Sequence, residues 1–146
     1  MPDVTLRPAG TWEGLAWDAV VLLSHERRVR RKRLVSQTGF EMMLDLPRTR
    51  TLRPGDALET AQGLIEVVAG VEALTEIRGL DAVHLAALAW HIGNRHLPAQ
   101  IEETFILIAR DPVIERMLEG LGATLSHVEA PFHPLHGAYH SHDHDH

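Results

Sequence analysis

Eleven of the 146 residues are histidine, and six of them lie at or after His133; the chain closes on "GAYHSHDHDH". Residues two apart on a helix point to nearly opposite sides. In an extended chain, by contrast, His140, His142, His144 and His146 project to one side and Ser141, Asp143 and Asp145 to the other. Neutral imidazoles in that array chelate borderline divalent cations, and the interleaved carboxylates raise the local cation concentration. So polar a segment cannot fold alone, so it must lose chain entropy on binding a metal. That favours exchangeable capture over a rigid site. A cloning tag and an inert terminus are the competing readings, although a standard tag would be an uninterrupted histidine run.

His96 differs from the tail histidines. It stands in "GNRHLP", just past a helical segment, at a bend that presents a ring rather than burying it. One imidazole without partners makes no tight site, and a hydrogen-bonded structural role is the default for an isolated histidine. A twofold dimer changes that, because a ligand near the axis is duplicated and the tails of both chains can complete the shell. His84 and His91, seven residues apart, share a helix face and read as its polar side. His25 reads as a strand-end or turn residue, and His127 as a residue of the last strand.

The elements that must position these residues follow two grammars. From Leu15 to Ala69 short strands alternate with turn signals. Phe40, Met42, Leu44 and Leu46 repeat with a period of two, "RPGD" (Arg53 to Asp56) is a Pro-Gly turn, and Ala61-Gln62-Gly63 precedes a return strand "LIEVVA". A small antiparallel β domain is expected, with two sheets packed face to face. After Gly70, "VEALTEI" suits a strand and "AVHLAALAWHI" a helix, with Gly93 placed for a left-handed C-cap. "HLPAQI" and "ETFILIA" are strand-like. Asp111-Pro112 opens a second helix with Val113, Ile114, Met117, Leu118 and Leu121 on one face, and "ATLSHVE" supplies a last strand. The order is β-α-β-β-α-β, that of a ferredoxin-like fold. The fold class is therefore α+β: a β domain over residues 1–70, a ferredoxin-like domain over 71–131 and a flexible histidine-rich tail over 132–146. The first helix is apolar almost all round, so a second covering is expected, either the other domain or a second copy of the chain.

Composition narrows the chemistry. No cysteine is present, which removes disulfides, iron-sulfur clusters and thiolate zinc sites and leaves nitrogen and oxygen ligands. The formal charge of −6 speaks against nonspecific nucleic-acid binding. Met1 to Gly10 holds no apolar run suited to a signal peptide, and Ala19 to Leu23 is too short to span a bilayer, so a cytoplasmic protein without membrane contact is expected. No His-Glu-x-x-His helix and no glycine-rich phosphate loop is found, which argues against an enzyme.

"WHIGNRHLP" (Trp90 to Pro98), "GAY" (Gly137 to Tyr139), the histidine-rich end and "RLVSQTGFEMMLDLPRTRTLRPGDAL" (Arg33 to Leu58) together resemble the UreE family of urease accessory proteins, which are nickel metallochaperones. The resemblance covers nearly the whole chain. It implies an N-terminal peptide-binding-like β domain and a ferredoxin-like domain through which two copies form a homodimer. It also implies a nickel ion held by His96 of both subunits, with C-terminal histidines, His136, His140, His142, His144 and His146, adding ligands. The implied task is delivery of Ni(II) to the urease apoprotein together with an accessory GTPase. Nothing in an all-nitrogen ligand set selects nickel, because copper binds such sites more tightly, and Zn(II) or Cu(II) would also be accepted. Nickel comes from the resemblance alone. Two other readings stand beside it. One is a general divalent-metal buffer; the other is a docking module built on "RRVRRKR", Arg27 to Arg33, a stretch whose basic side chains read first as a solvated strand that protects its edge.

Overall fold

The computed structural model describes residues 4–135. The chain divides after Gly70 into two compact units. Among the described residues the first holds six strands, β1 (Thr5–Arg7), β2 (Asp18–Leu22), β3 (Arg28–Val35), β4 (Glu41–Thr51), β5 (Ala57–Thr60) and β6 (Gly63–Ala69), and a 3-10 turn at Ser24–Glu26. They form a four-stranded sheet in the order β1-β5-β6-β2 and a two-stranded sheet of β3 and β4.

The alternation seen in the sequence carries β4. Met42 and Leu44 are fully buried, and Phe40 and Leu46 pack against the same core beside Val29, Leu34, Leu52, Leu58 and Ile65. Each such buried aliphatic side chain contributes about 1.5–3 kcal/mol of transfer free energy. The Pro-Gly turn is held by Asp56, whose carboxylate accepts from the Arg53 and Ala9 amides at 2.8 Å each. Gly55 takes a φ of 93° that a side chain would resist. Ala61 and Gln62 are the two loop residues between Thr60 and its partner Gly63.

One expectation needs correction: the unit is not wholly antiparallel. β2 pairs with β6 in parallel, from Asp18 opposite Ile65 to Leu22 opposite Ala69. Parallel neighbours need a long crossover. Here β3, β4 and β5 all intervene, which local periodicity does not reveal.

The second unit runs β7 (Val71–Arg78), α1 (Ala82–Gly93), β8 (Gln100–Ile101), β9 (Ile106–Ala109), α2 (Pro112–Gly120) and β10 (Thr124–Pro131). This is the β-α-β-β-α-β order, laid out as an antiparallel sheet β10-β7-β9-β8. Both helices start on aspartate caps. The Asp81 carboxylate accepts from the His84 amide, and that of Asp111 from the amides of Val113 and Ile114, with Pro112 at the first helical position. Ile77, Leu85, Leu88, Ile92, Ile106, Ile108 and Leu118 form the core between helices and sheet. A smaller cluster of Leu74, Leu107 and Phe132 accompanies it.

Three local expectations also change. "HLPAQI" yields only the two-residue β8, because Pro98 lacks the amide a ladder requires, and "ETFILIA" is strand only from Ile106. Val113 is not on the buried face of α2 but 65% exposed. Gly93 is not a left-handed cap: it ends α1, Asn94 follows with a φ of −63°, and the left-handed residue is His96.

Candidate metal centre

His96 has a φ of 57°, the only positive value among the described non-glycine residues. The turn that produces it follows from how α1 ends. Asn94 and Arg95 donate their amides to Trp90 and Ile92, and the His96 amide donates to the Gly93 carbonyl at 3.0 Å. Arg95 ties the same corner with its guanidinium on the His91 carbonyl at 3.0 Å. Leu97 precedes a proline and is pushed to extended backbone, so the reversal must be completed at position 96. Histidine is among the non-glycine residues that tolerate this conformation, at a cost of about 1–2 kcal/mol. The residue is exposed.

The other histidines have different surroundings. His84 is spoken for on both ring nitrogens. The Leu80 amide donates to Nδ1 at 2.8 Å, which leaves Nε2–H to donate to the Leu121 carbonyl, also at 2.8 Å. Its ring thus pins the start of α1 to the end of α2. His127 bonds Glu115 at 2.7 Å. That bond, with help from the Asp111 amide, holds the Glu115 carboxyl below the ordinary glutamate range in spite of the desolvation that opposes it. His91 is half-buried and sits edge-on to Trp90. His25 lies exposed in the 3-10 turn. Among the described residues no three His, Asp or Glu side chains converge as a metal cage. His136, His140, His142, His144 and His146 lie outside the described residues.

Two further features lie near this corner, the first not anticipated from the sequence and the second foreshadowed by the apolar first helix. The first is an isolated bridge in which Leu135 and Ala99 exchange both backbone hydrogen bonds, at 2.7 and 3.1 Å. The His133 amide is likewise held, by the Gln100 side chain at 2.9 Å. The root of the histidine-rich end is therefore fastened three residues beyond His96. The second is a second apolar stripe on α1. Leu85, Leu88 and Ile92 face the core, while Val83, Ala86, Ala87 and Trp90, at helical i, i+3, i+4, i+7 spacing, remain exposed, Val83 at 80% and Trp90 at 64%. This explains why the helix reads as apolar all round.

Residues 5–70 match the family model described as the UreE urease accessory protein, N-terminal domain, and residues 72–146 its C-terminal domain. A urease accessory protein UreE of Rhizobium meliloti is 58% identical over 124 residues, covering 84% of this chain and 80% of that one. Those of Chelativorans and Agrobacterium fabrum are each 53% identical, over 89% and 92% of this chain and 83% and 84% of theirs. No helix among the described residues is long and apolar enough to cross a membrane.

Proposed function

The chain belongs to the UreE family of urease accessory proteins, and on that premise we propose that it is a nickel-binding metallochaperone of urease maturation. In this reading the protein carries Ni(II) to the urease apoprotein together with the accessory GTPase, and catalyses no reaction of its own. His96 from two subunits holds the ion, and His136, His140, His142, His144 and His146 add ligands.

The observation that carries the reading is the Leu135–Ala99 bridge. A chain spans at most about 3.3–3.6 Å per residue, so the three steps from Ala99 to His96 cover no more than about 11 Å, and the five from Leu135 to His140 about 18 Å. The tail histidines thus start within reach of the His96 ring. A single chain offers no cage among its described residues, so the shell needs further imidazoles, and a twofold mate supplies them. The Val83, Ala86, Ala87, Trp90 stripe ends six residues before His96, which suits an interface there between two copies within a ferredoxin-like domain. An exposed left-handed histidine carries backbone strain of the kind that gathers at binding sites.

Calorimetric titration tests this reading. Nickel should bind in a tight class of one ion per two chains and a weaker class. Truncation after Gly137 should remove the weaker class, and Trp90→Glu, by separating the copies, should remove the tight one. One class of one ion per chain, unaffected by either change, would refute the shared site.

A further inference from the structure

We propose that Phe132 is a positioning residue of the metal site: its ring fixes where the histidine-rich end leaves the fold, and so sets how long a bound nickel ion stays. The inference rests on the reading above, in which His96 and the tail histidines hold the ion.

β10 ends at Pro131, and β10 and β8 stand at opposite ends of the strand order β10-β7-β9-β8. Four residues later Leu135 is bonded to Ala99, next to β8. The segment between has no regular structure, yet it is tied at three points. Phe132 is 3% exposed and packs with Leu74 and Leu107, with Phe105, Val128 and Ala130 against them. Leu74 stands three residues from Ile77, and Leu107 lies between Ile106 and Ile108. Successive strand residues alternate in direction, so this cluster sits on the sheet face opposite the helix-covered core. Phe132 thus draws the chain across that face. The His133 amide is held by the Gln100 side chain at 2.9 Å, and that side chain is itself oriented by its bond to Glu102 at 2.8 Å. Prolines at 131 and 134 fix φ at two positions and push Ala130 and His133 to extended backbone, so the strap has little freedom to lose.

An aromatic that only filled a gap would need no further ties. Here ring, amide and bridge follow at positions 132, 133 and 135, and together they set a direction. The bridge is antiparallel, so the chain at Leu135 heads back alongside Pro98 and Leu97 toward His96. With the strap fastened, His140 hangs on the five residues after Leu135. With it loose, His140 hangs on the nine after Pro131, from the other end of the sheet. Effective concentration falls roughly as the −3/2 power of tether length, so length alone lowers it about twofold, and the displaced origin lowers it further.

Nickel release to excess EDTA, measured on the full chain loaded with one ion per two chains, tests this. Phe132→Ala should release nickel about two- to tenfold faster than the wild type, and Phe132→Leu, which refills the cluster, at close to the wild-type rate. The same substitutions are measured in a full chain with serine for His136, His140, His142, His144 and His146. That background should itself release nickel faster, and Phe132→Ala should add nothing to it, because the ring acts only through the tail. Should Phe132→Ala misfold by circular dichroism, Gln100→Ala takes its place, with a smaller acceleration in the same direction. Unchanged release in the folded variant, or an equal acceleration with and without the tail histidines, would overturn the role of Phe132 and leave the ligand set standing. A serine background that releases nickel at the wild-type rate would instead show that the tail supplies no ligand, and would sink that ligand set and the role of Phe132 together.

Discussion

Replacing His96 with glycine should make the metal-free protein more stable and the metal-loaded state weaker, a pair of signs that a structural histidine would not give. At a φ of 57° a side chain costs about 1–2 kcal/mol that glycine escapes. Glycine returns about 0.4–1 kcal/mol of that through the greater freedom of the unfolded chain. The ring is exposed, and the interaction it makes is lost with it, which lowers the gain further, so the net gain is at most about 1 kcal/mol. With a urea slope of about 2 kcal/mol per molar, the unfolding midpoint of the apo protein should rise by up to about 0.5 M at fixed protein concentration. His96→Val, which adds a β-branched side chain in the same conformation, should fall by at least as much. Chelator-treated samples followed by circular dichroism suffice, with nickel added to a second set. If His96→Gly lowers the apo midpoint, the ring stabilises the fold and the assignment of strain to binding is wrong.

His84→Ala removes the ring that accepts from Leu80 and donates to Leu121, so it should cost about 1–3 kcal/mol in urea unfolding and leave nickel stoichiometry intact; loss of metal with unchanged stability would reverse the roles of His84 and His96. The Glu115 carboxyl has a folded-state pKa below its ordinary value, so the stabilisation it provides is present above that value and disappears as pH falls through the lowered one. Glu115→Gln should therefore flatten the loss of stability below about pH 4, and an acid unfolding limb identical to the wild type would contradict the His127–Glu115 account. Nickel affinity should weaken as pH drops through about 6.5, because neutral imidazole is the ligand form; binding that persists unchanged at about pH 5 would point to carboxylate ligands.

What the sequence disclosed was local. Asp111-Pro112 announced the second helix, the alternation from Phe40 to Leu46 announced β4, and Ala61-Gln62-Gly63 marked the β5–β6 hairpin, because caps, turns and periodicity act over a few residues. Features built from distant residues were hidden. The parallel pairing of β2 with β6 joins segments separated by three strands, His84 meets Leu121 from the far end of α2, and Leu135 meets Ala99 across a helix and three strands. Gly93 misled for a subtler reason. Glycine is favoured at a left-handed cap but not excluded from the last helical turn, and α1 continues through it, so the reversal falls at His96 instead. His96 was conspicuous as a histidine at a bend; its strained backbone and the anchoring of the chain end nearby came only with the fold. The stripe of Val83, Ala86, Ala87 and Trp90 was legible as an excess of apolar residues, yet only the exposure of those residues separates it from the core stripe of Leu85, Leu88 and Ile92.

The most direct test of the shared site is nickel titration of the wild type against His96→Ala, with chain stoichiometry fixed by sedimentation equilibrium. The tight class, one ion per two chains, should vanish in His96→Ala while the weaker class and the dimer persist. A tight class that survives the substitution with its stoichiometry and affinity unchanged would place the ion elsewhere.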